Sequence, residues 1–196
     1  LPEGGNLVYG NFNRMAFKCV NSLGQGEDIT GSLRDENDSI LLTFQSTHRG
    51  MGVFSFIPQK DRTYTAVCQT TDGKEKRFQL PAAVNQYSIQ VNEVRDKYYV
   101  KVLTGTGCLT DSLYILAHQK GWPVMIHQCT PNYNVYTFNA ENFTQGIVSF
   151  LLFNAQGKLL NERMVFLDKR EAPKTVLTSL PNEYTQREKV CLTLDV

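Results

Sequence analysis

Almost every stretch of this chain alternates apolar and polar residues with a period of two, and that period belongs to strands. Successive side chains of a strand leave opposite faces, whereas a helix gathers its apolar residues three and four apart. Met15, Phe17 and Cys19 share one face while Arg14 and Lys18 take the other, and Ile40, Leu42 and Phe44 repeat the pattern after the turn DENDS. Tyr64, Ala66 and Cys68 lead into TTDGK, and the chain returns through Lys76, Phe78 and Leu80. The Asp72-Gly73 pair is expected to supply the positive φ of a primed hairpin turn. No stretch of ten residues carries the i, i+3, i+4, i+7 spacing behind a capping residue, so little helix is expected.

After LPAAVN a second set begins: Tyr87, Ile89 and Val91, then Tyr98, Val100 and Val102, then Leu113, Ile115 and Ala117. It continues with Ile147, Ser149, Leu151 and Phe153 and closes on Leu159 to Leu167. Many short strands with frequent turns predict an all-β chain of antiparallel, immunoglobulin-like sandwiches. The two sets close alike, with YTAVCQTTDGKEKRFQLP in the first and SFLLFNAQGKLLNERMVFL in the second, each a strand, a Gly-Lys turn and a returning strand. A tandem repeat follows, with units at 1–81 and 85–170 and a break between Pro81 and Asn85. Residues 171–196 are read as a second linker, near Glu171 to Pro173, followed by the first strands of a third, truncated unit. The chain opens on Leu1 and ends on the alternating Val190, Leu192, Leu194 and Val196, so it is expected to be a piece of something longer. A formal net charge of +1 and no run of 18 apolar residues point away from nucleic acid and from direct membrane insertion.

The first unit carries a resemblance. LPEGGNLVYGNFNRMAFKCVNSLGQG, GSLRD, FQSTHRGMGVFSFIPQKDRTYTA and KRFQLP resemble the macroglobulin-like β-sandwich domains of bacterial alpha-macroglobulin relatives, especially those of envelope proteins linked to TonB-dependent receptors. The PEGG lead-in, the HxGMGxFxFxP turn and the later YTQREKV are its specific parts; the second unit shares it only in outline. The resemblance implies seven-stranded sandwiches strung in a larger protein, in the periplasm or at the outer membrane or cell surface of a Gram-negative bacterium. It implies partners among neighbouring domains of the same polypeptide or another envelope protein. The thioester of complete macroglobulins needs Cys-Gly-Glu-Gln, and none of Cys19, Cys68, Cys108, Cys129 or Cys191 stands in such a stretch. Covalent trapping is therefore not expected of this chain.

The residues offer little chemistry. Gly50 and Gly52 are expected to turn the chain with unusual φ values, so that Met51 tucks against the sandwich end and Phe54 and Phe56 enter the core. The alternative, a phosphate cradle, would lead into a helix, and here a strand follows. His48, His118 and His127 lie near no nucleophile elbow. Asp35, Glu36 and Asp38 read as a solvated turn rather than a calcium loop. The best metal set, Cys108, His118, His127 and Cys129, matches no common zinc spacing, so no metal and no cofactor are expected. Cys19 and Cys68 both fall on inward phases, either bridged across the sandwich or free thiols filling space.

Tyrosines are the remaining lead. Tyr98 and Tyr99 are adjacent, so one must face outward, and Tyr133 and Tyr136 stand in PNYNVYTFN. Exposed tyrosines stack on sugars or anchor proteins. Two functions compete: a non-catalytic structural and interaction module of a larger envelope protein, and a carbohydrate-binding sandwich using these tyrosines as a platform.

Overall fold

A computed structural model describes residues 1–106, 112–130, 133–169, 176–178, 183, 185–190 and 193–195. Six strands occupy the first part: β1 (Asn13–Lys18), β2 (Ile29–Arg34), β3 (Ile40–Gln45), β4 (Met51–Phe56), β5 (Thr65–Thr70) and β6 (Glu75–Gln79). β1 pairs with β4, and a facing sheet runs β3-β2-β5-β6. Between them lie Leu7, Met15, Leu33, Phe56 and Tyr64, and beside these Ile29, Phe44 and Ala66. A seventh strand is reduced to a bridge from Pro2 to Met15, beside which the Glu3 N–H donates to the Arg14 carbonyl at 2.9 Å.

Seven strands follow: β7 (Tyr87–Val94), β8 (Lys97–Thr104), β9 (Leu113–Gln119), β10 (Trp122–Gln128), β11 (Val135–Asn139), β12 (Gly146–Asn154) and β13 (Leu159–Leu167). They form a three-stranded sheet, β11-β8-β7, facing a four-stranded sheet, β10-β9-β12-β13. The connectivity repeats that of the first sandwich, with β10-β9-β12-β13 taking the places of β3-β2-β5-β6. Tyr98, Phe138, Phe143 and Phe150 fill the second core with ring contacts of 5.1 to 6.2 Å, mostly edge to face. That geometry places positive ring edges on negative ring faces. Among the described residues no apolar cluster mixes residues up to Ala83 with residues from Tyr87 onward. All strand pairs are antiparallel and a single 3₁₀ turn, Ala140–Asn142, is the one described helical piece, so the chain is all-β and its sandwiches immunoglobulin-like. β14 (Val176–Thr178) pairs with β15 (Thr193–Asp195). The Glu171 to Pro173 linker, Cys108, Cys191, Leu192 and Val196 lie outside the described residues.

Several side chains depart from the alternation. On β12 the fully buried phase is Val148, Phe150 and Leu152, while Ile147 and its phase partners Leu151 and Phe153 face away from the core. The strand GIVSFLLFN is apolar on both faces, so its phase is chosen by its neighbour: Phe150 lies opposite Ala117 and Leu152 opposite Ile115. Phe78 has the inward phase, opposite Ala66, yet is exposed, because the two-stranded β1-β4 sheet is too narrow to cover the far edge of a four-stranded one. Ile40 is also exposed; the register slips between Leu33 and Arg34, at the end of the strand where it pairs.

The glycine turn divides its two roles differently from the sequence expectation. Gly50 has φ of +74°, whereas Gly52 has no positive φ and is needed for space: a Cβ there would stand 2.3 Å from Phe17 Cζ. Phe54 and Phe56 do point inward, and Met51 stays on the exposed side. In TTDGK only Gly73 has positive φ, at +84°, with its N–H donating to the Thr70 carbonyl at 2.9 Å. The turn is therefore closed by one left-handed glycine rather than by a primed pair.

Candidate functional site

The outer phase of β9, β10, β12 and β13 is where the apolar residues excluded from the core collect. Across the sheet Phe166 lies opposite Ile147, and Leu151 opposite Leu116, which in turn lies opposite Ile126. Phe153 lies opposite Tyr114, and Met164 and His118 flank Ser149. Ile126, Ile147, Met164 and Phe166 are 66, 57, 54 and 61% exposed. Single exposed apolar residues are ordinary, but a cross-strand set is not. Four strands about 4.8 Å apart, two of nine residues and two of seven and so about 23–30 Å long, make this face roughly 450 Å². That is comparable with one side of a contact between neighbouring domains and about half of what each partner gives a stable complex. Its only charged member along these rows is Glu162, opposite Leu151.

The outer face of the first sandwich differs. A depression of about 570 Å³ is lined there by Thr30, Ser32, Thr43, Gln45 and Gln69, with Phe44 and Val67 among them and Arg34 and Glu75 adding charge. Arg34 is turned to Asp38 at 2.8 Å. The carboxylates of the DENDS turn are occupied by arginines: Glu36 by Arg62 at 2.5 Å, Asp35 by Arg62 at 3.4 Å, and Asp38 by Arg34 and by Arg77 at 2.9 Å. The Arg62 and Arg77 hydrogen bonds hold Glu36 and Asp38 below the ordinary carboxylate range.

The four tyrosines are not brought onto one face. Tyr98 is fully buried and Tyr136 nearly so, which removes both as surface binders. Tyr99 is half-buried on the opposite phase of β8, and Tyr133 is 65% exposed. Tyr136 is fixed from both sides: its O–H donates to the Tyr133 carbonyl at 2.6 Å and its oxygen accepts from the Thr130 N–H at 2.9 Å. Burial, with Glu93 adding to it, pushes the Tyr98 hydroxyl up to about 12.

The metal candidates separate as well. His118 is on the outer phase of β9, opposite Ser149, while His127 lies against Phe138 at 5.1 Å, toward the core. Cys129 packs on the core edge, and burial pushes its thiol up. Among the described residues no three His, Cys, Asp or Glu side chains are grouped for a metal; Cys108 lies outside them. Cys19 and Cys68 are free, half-buried thiols packed on one cluster, and burial followed by the nearness of Cys19 raises Cys68.

The residues that sequence reasoning missed are those of the apolar face. Their signal was present: GIVSFLLFN and RMVFL carry large apolar residues on both phases, the mark of a strand covered on both sides.

No protein-family model and no curated protein matches the chain. Solved structures resemble it at low identity. A biofilm-associated protein (BSP domain) matches at 11% identity and TM-score 0.41 over 88% of this chain, which spans 30% of that one. Red sea bream transglutaminase matches at 11% identity and TM-score 0.31, over 86% of this chain and 31% of that one. The fibronectin(III)-like modules of Clostridium thermocellum CbhA match at 9% identity and TM-score 0.28, over 84% of this chain and 90% of theirs. The sheet order of the chain itself carries the assignment: an all-β protein of antiparallel, immunoglobulin-like sandwiches.

Proposed function

We propose that this chain is a non-catalytic interaction module of a larger macroglobulin-like protein of the Gram-negative cell envelope, periplasmic or at the outer surface. Its units are 1–81 and 85–170, with a third beginning at 171. The observation that carries the reading is the apolar outer face of β10-β9-β12-β13, whose size suits a neighbouring domain of the same polypeptide or of another envelope protein. The macroglobulin resemblance of residues 1–81 supports the envelope setting. The carbohydrate alternative rested on a tyrosine platform, and two of its four tyrosines are in the core.

Amide hydrogen exchange tests the docking face. In a longer polypeptide carrying the flanking domains, the outer-face residues Leu116, Leu151 and Phe166 should gain at least tenfold protection over the 196-residue chain, and Phe166→Glu with Ile147→Lys should abolish the gain. Equal protection in both polypeptides would refute it.

A further inference from the structure

Among the described ion-paired carboxylates Glu3 is the most enclosed, and its partners come from both sandwiches. Its side chain is 5% exposed. Oε1 accepts from the Val91 N–H at 3.1 Å and from Arg163 Nε at 3.0 Å, both in the second sandwich. Oε2 stands 3.0 Å from Arg14 Nη1, in the first, close enough to pair in charge though not aligned for a hydrogen bond. The backbone follows the side chain: Ser88 Oγ donates to the Glu3 carbonyl at 2.8 Å and Asn161 Nδ2 to the Gly4 carbonyl at 2.7 Å.

These donors mark out a seam. β7 and β13 are the end strands of the two facing sheets of the second sandwich. Ser88 and Val91 belong to β7; Asn161 and Arg163, on the inward phase of β13, lie opposite the core residues Leu152 and Phe150. An open seam would leave these polar groups facing the core edge without partners, and would leave end-strand N–H groups free to pair with other chains. Gly4 is what lets the segment in. A Cβ there would stand 2.2 Å from the Ile89 oxygen, and its φ is +74°. Arg14 Nη2 donates onward to Asn92 Oδ1 at 2.6 Å, and Gln90 Nε2 to the Phe12 carbonyl at 3.1 Å, so the junction continues along β7.

We infer that the seam between β7 and β13 is a binding site for a glutamate-glycine segment, occupied in this chain by Glu3 and Gly4, and that this occupancy locks the two sandwiches into one rigid body. The inference does not depend on the docking face proposed above. The carboxylate neutralises two arginines contributed by different sandwiches, the glycine allows backbone contact with β7, and the chain on either side of the segment is anchored in the first sandwich.

Nitrogen-15 relaxation on the full chain tests it. The parent should tumble with one correlation time throughout. Glu3→Ala and Gly4→Val should give two unequal, shorter correlation times while each sandwich keeps its dispersed amide spectrum, and the Val91 amide should exchange at least tenfold faster in Glu3→Ala. Arg77→Ala, which removes an ion pair within the first sandwich, should change neither. Should Gly4→Val fail to fold, Arg163→Ala decides, since it leaves Arg14 paired with Glu3. Folded variants that keep the parental correlation time and Val91 exchange would overturn the proposal.

Discussion

Gly52→Ala is a small substitution with a large expected effect, and the cause lies in space rather than in backbone conformation. The new methyl would lie 2.3 Å from Phe17 Cζ and 2.8 Å from the Gln45 carbonyl oxygen. The oxygen belongs to the paired strand β3 and has little room to yield, so the ring must move. Phe17 lies 5.1 Å from Phe44, which is stacked on Phe54 at 4.7 Å, so a shift of one ring disturbs three. Overpacking of this kind costs about 1–3 kcal/mol. For a domain of this size each kcal/mol lowers the midpoint by about 4–8 °C. Urea and thermal unfolding of the parent, Gly52→Ala, Phe17→Leu and the double variant form a cycle. If the overlap with the ring is the cause, the double variant should be at least about 0.5 kcal/mol more stable than the sum of the singles predicts. Strict additivity would refute the reasoning, and so would a Gly52→Ala protein as stable as the parent.

Phe150→Ala should destabilise the second sandwich by about 3–5 kcal/mol, because the ring is fully buried between Tyr98, Phe138 and Phe143; denaturant unfolding measures it, and a loss under about 1 kcal/mol would contradict the packing. The raised Tyr98 hydroxyl makes stability fall as pH rises from about 10, where an unfolded tyrosine ionises, toward about 12; burial also raises Tyr136, so tyrosinate absorbance should show late-titrating tyrosines of which the one near 12 is absent in Tyr98→Phe, and seeing the same titration in both proteins would count against it. The raised thiols of Cys68 and Cys129 should alkylate at pH 8 at least tenfold more slowly than free cysteine, and equal rates would place them at the surface. Purified protein should carry no stoichiometric zinc and hydrolyse no generic ester, peptide or glycoside; about one zinc per chain, lost in Cys129→Ser, would overturn this.

The strands were legible because alternation and turn chemistry are local. What escaped was set by partners distant in sequence. On β12 both phases are apolar, so only pairing with β9 distinguishes Phe150 from Leu151. Phe78 carries the inward phase, and its exposure depends on how many strands stand opposite, which no residue near it encodes. Alternation set Tyr98 in phase with Val100 and Val102 and Tyr99 in phase with Lys101, so the burial of Tyr98 was legible in it. For Gly52 the sequence shows a glycine, but whether φ or a neighbouring ring demands it depends on where Phe17 lies. PEGG stood out as a motif, while the donors that hold it lie in β7 and β13.

Glu3 and Arg163 are 160 residues apart in the chain. At synthesis rates of about 5–20 residues per second, roughly 8–32 s separate the emergence of one from the emergence of the other, longer than a small β-domain needs to fold. The first sandwich therefore forms while Glu3 has, of its two arginines, only Arg14 beside it, and β13 closes the seam on a segment already in place. Order of emergence supplies the segment before the seam that holds it is complete.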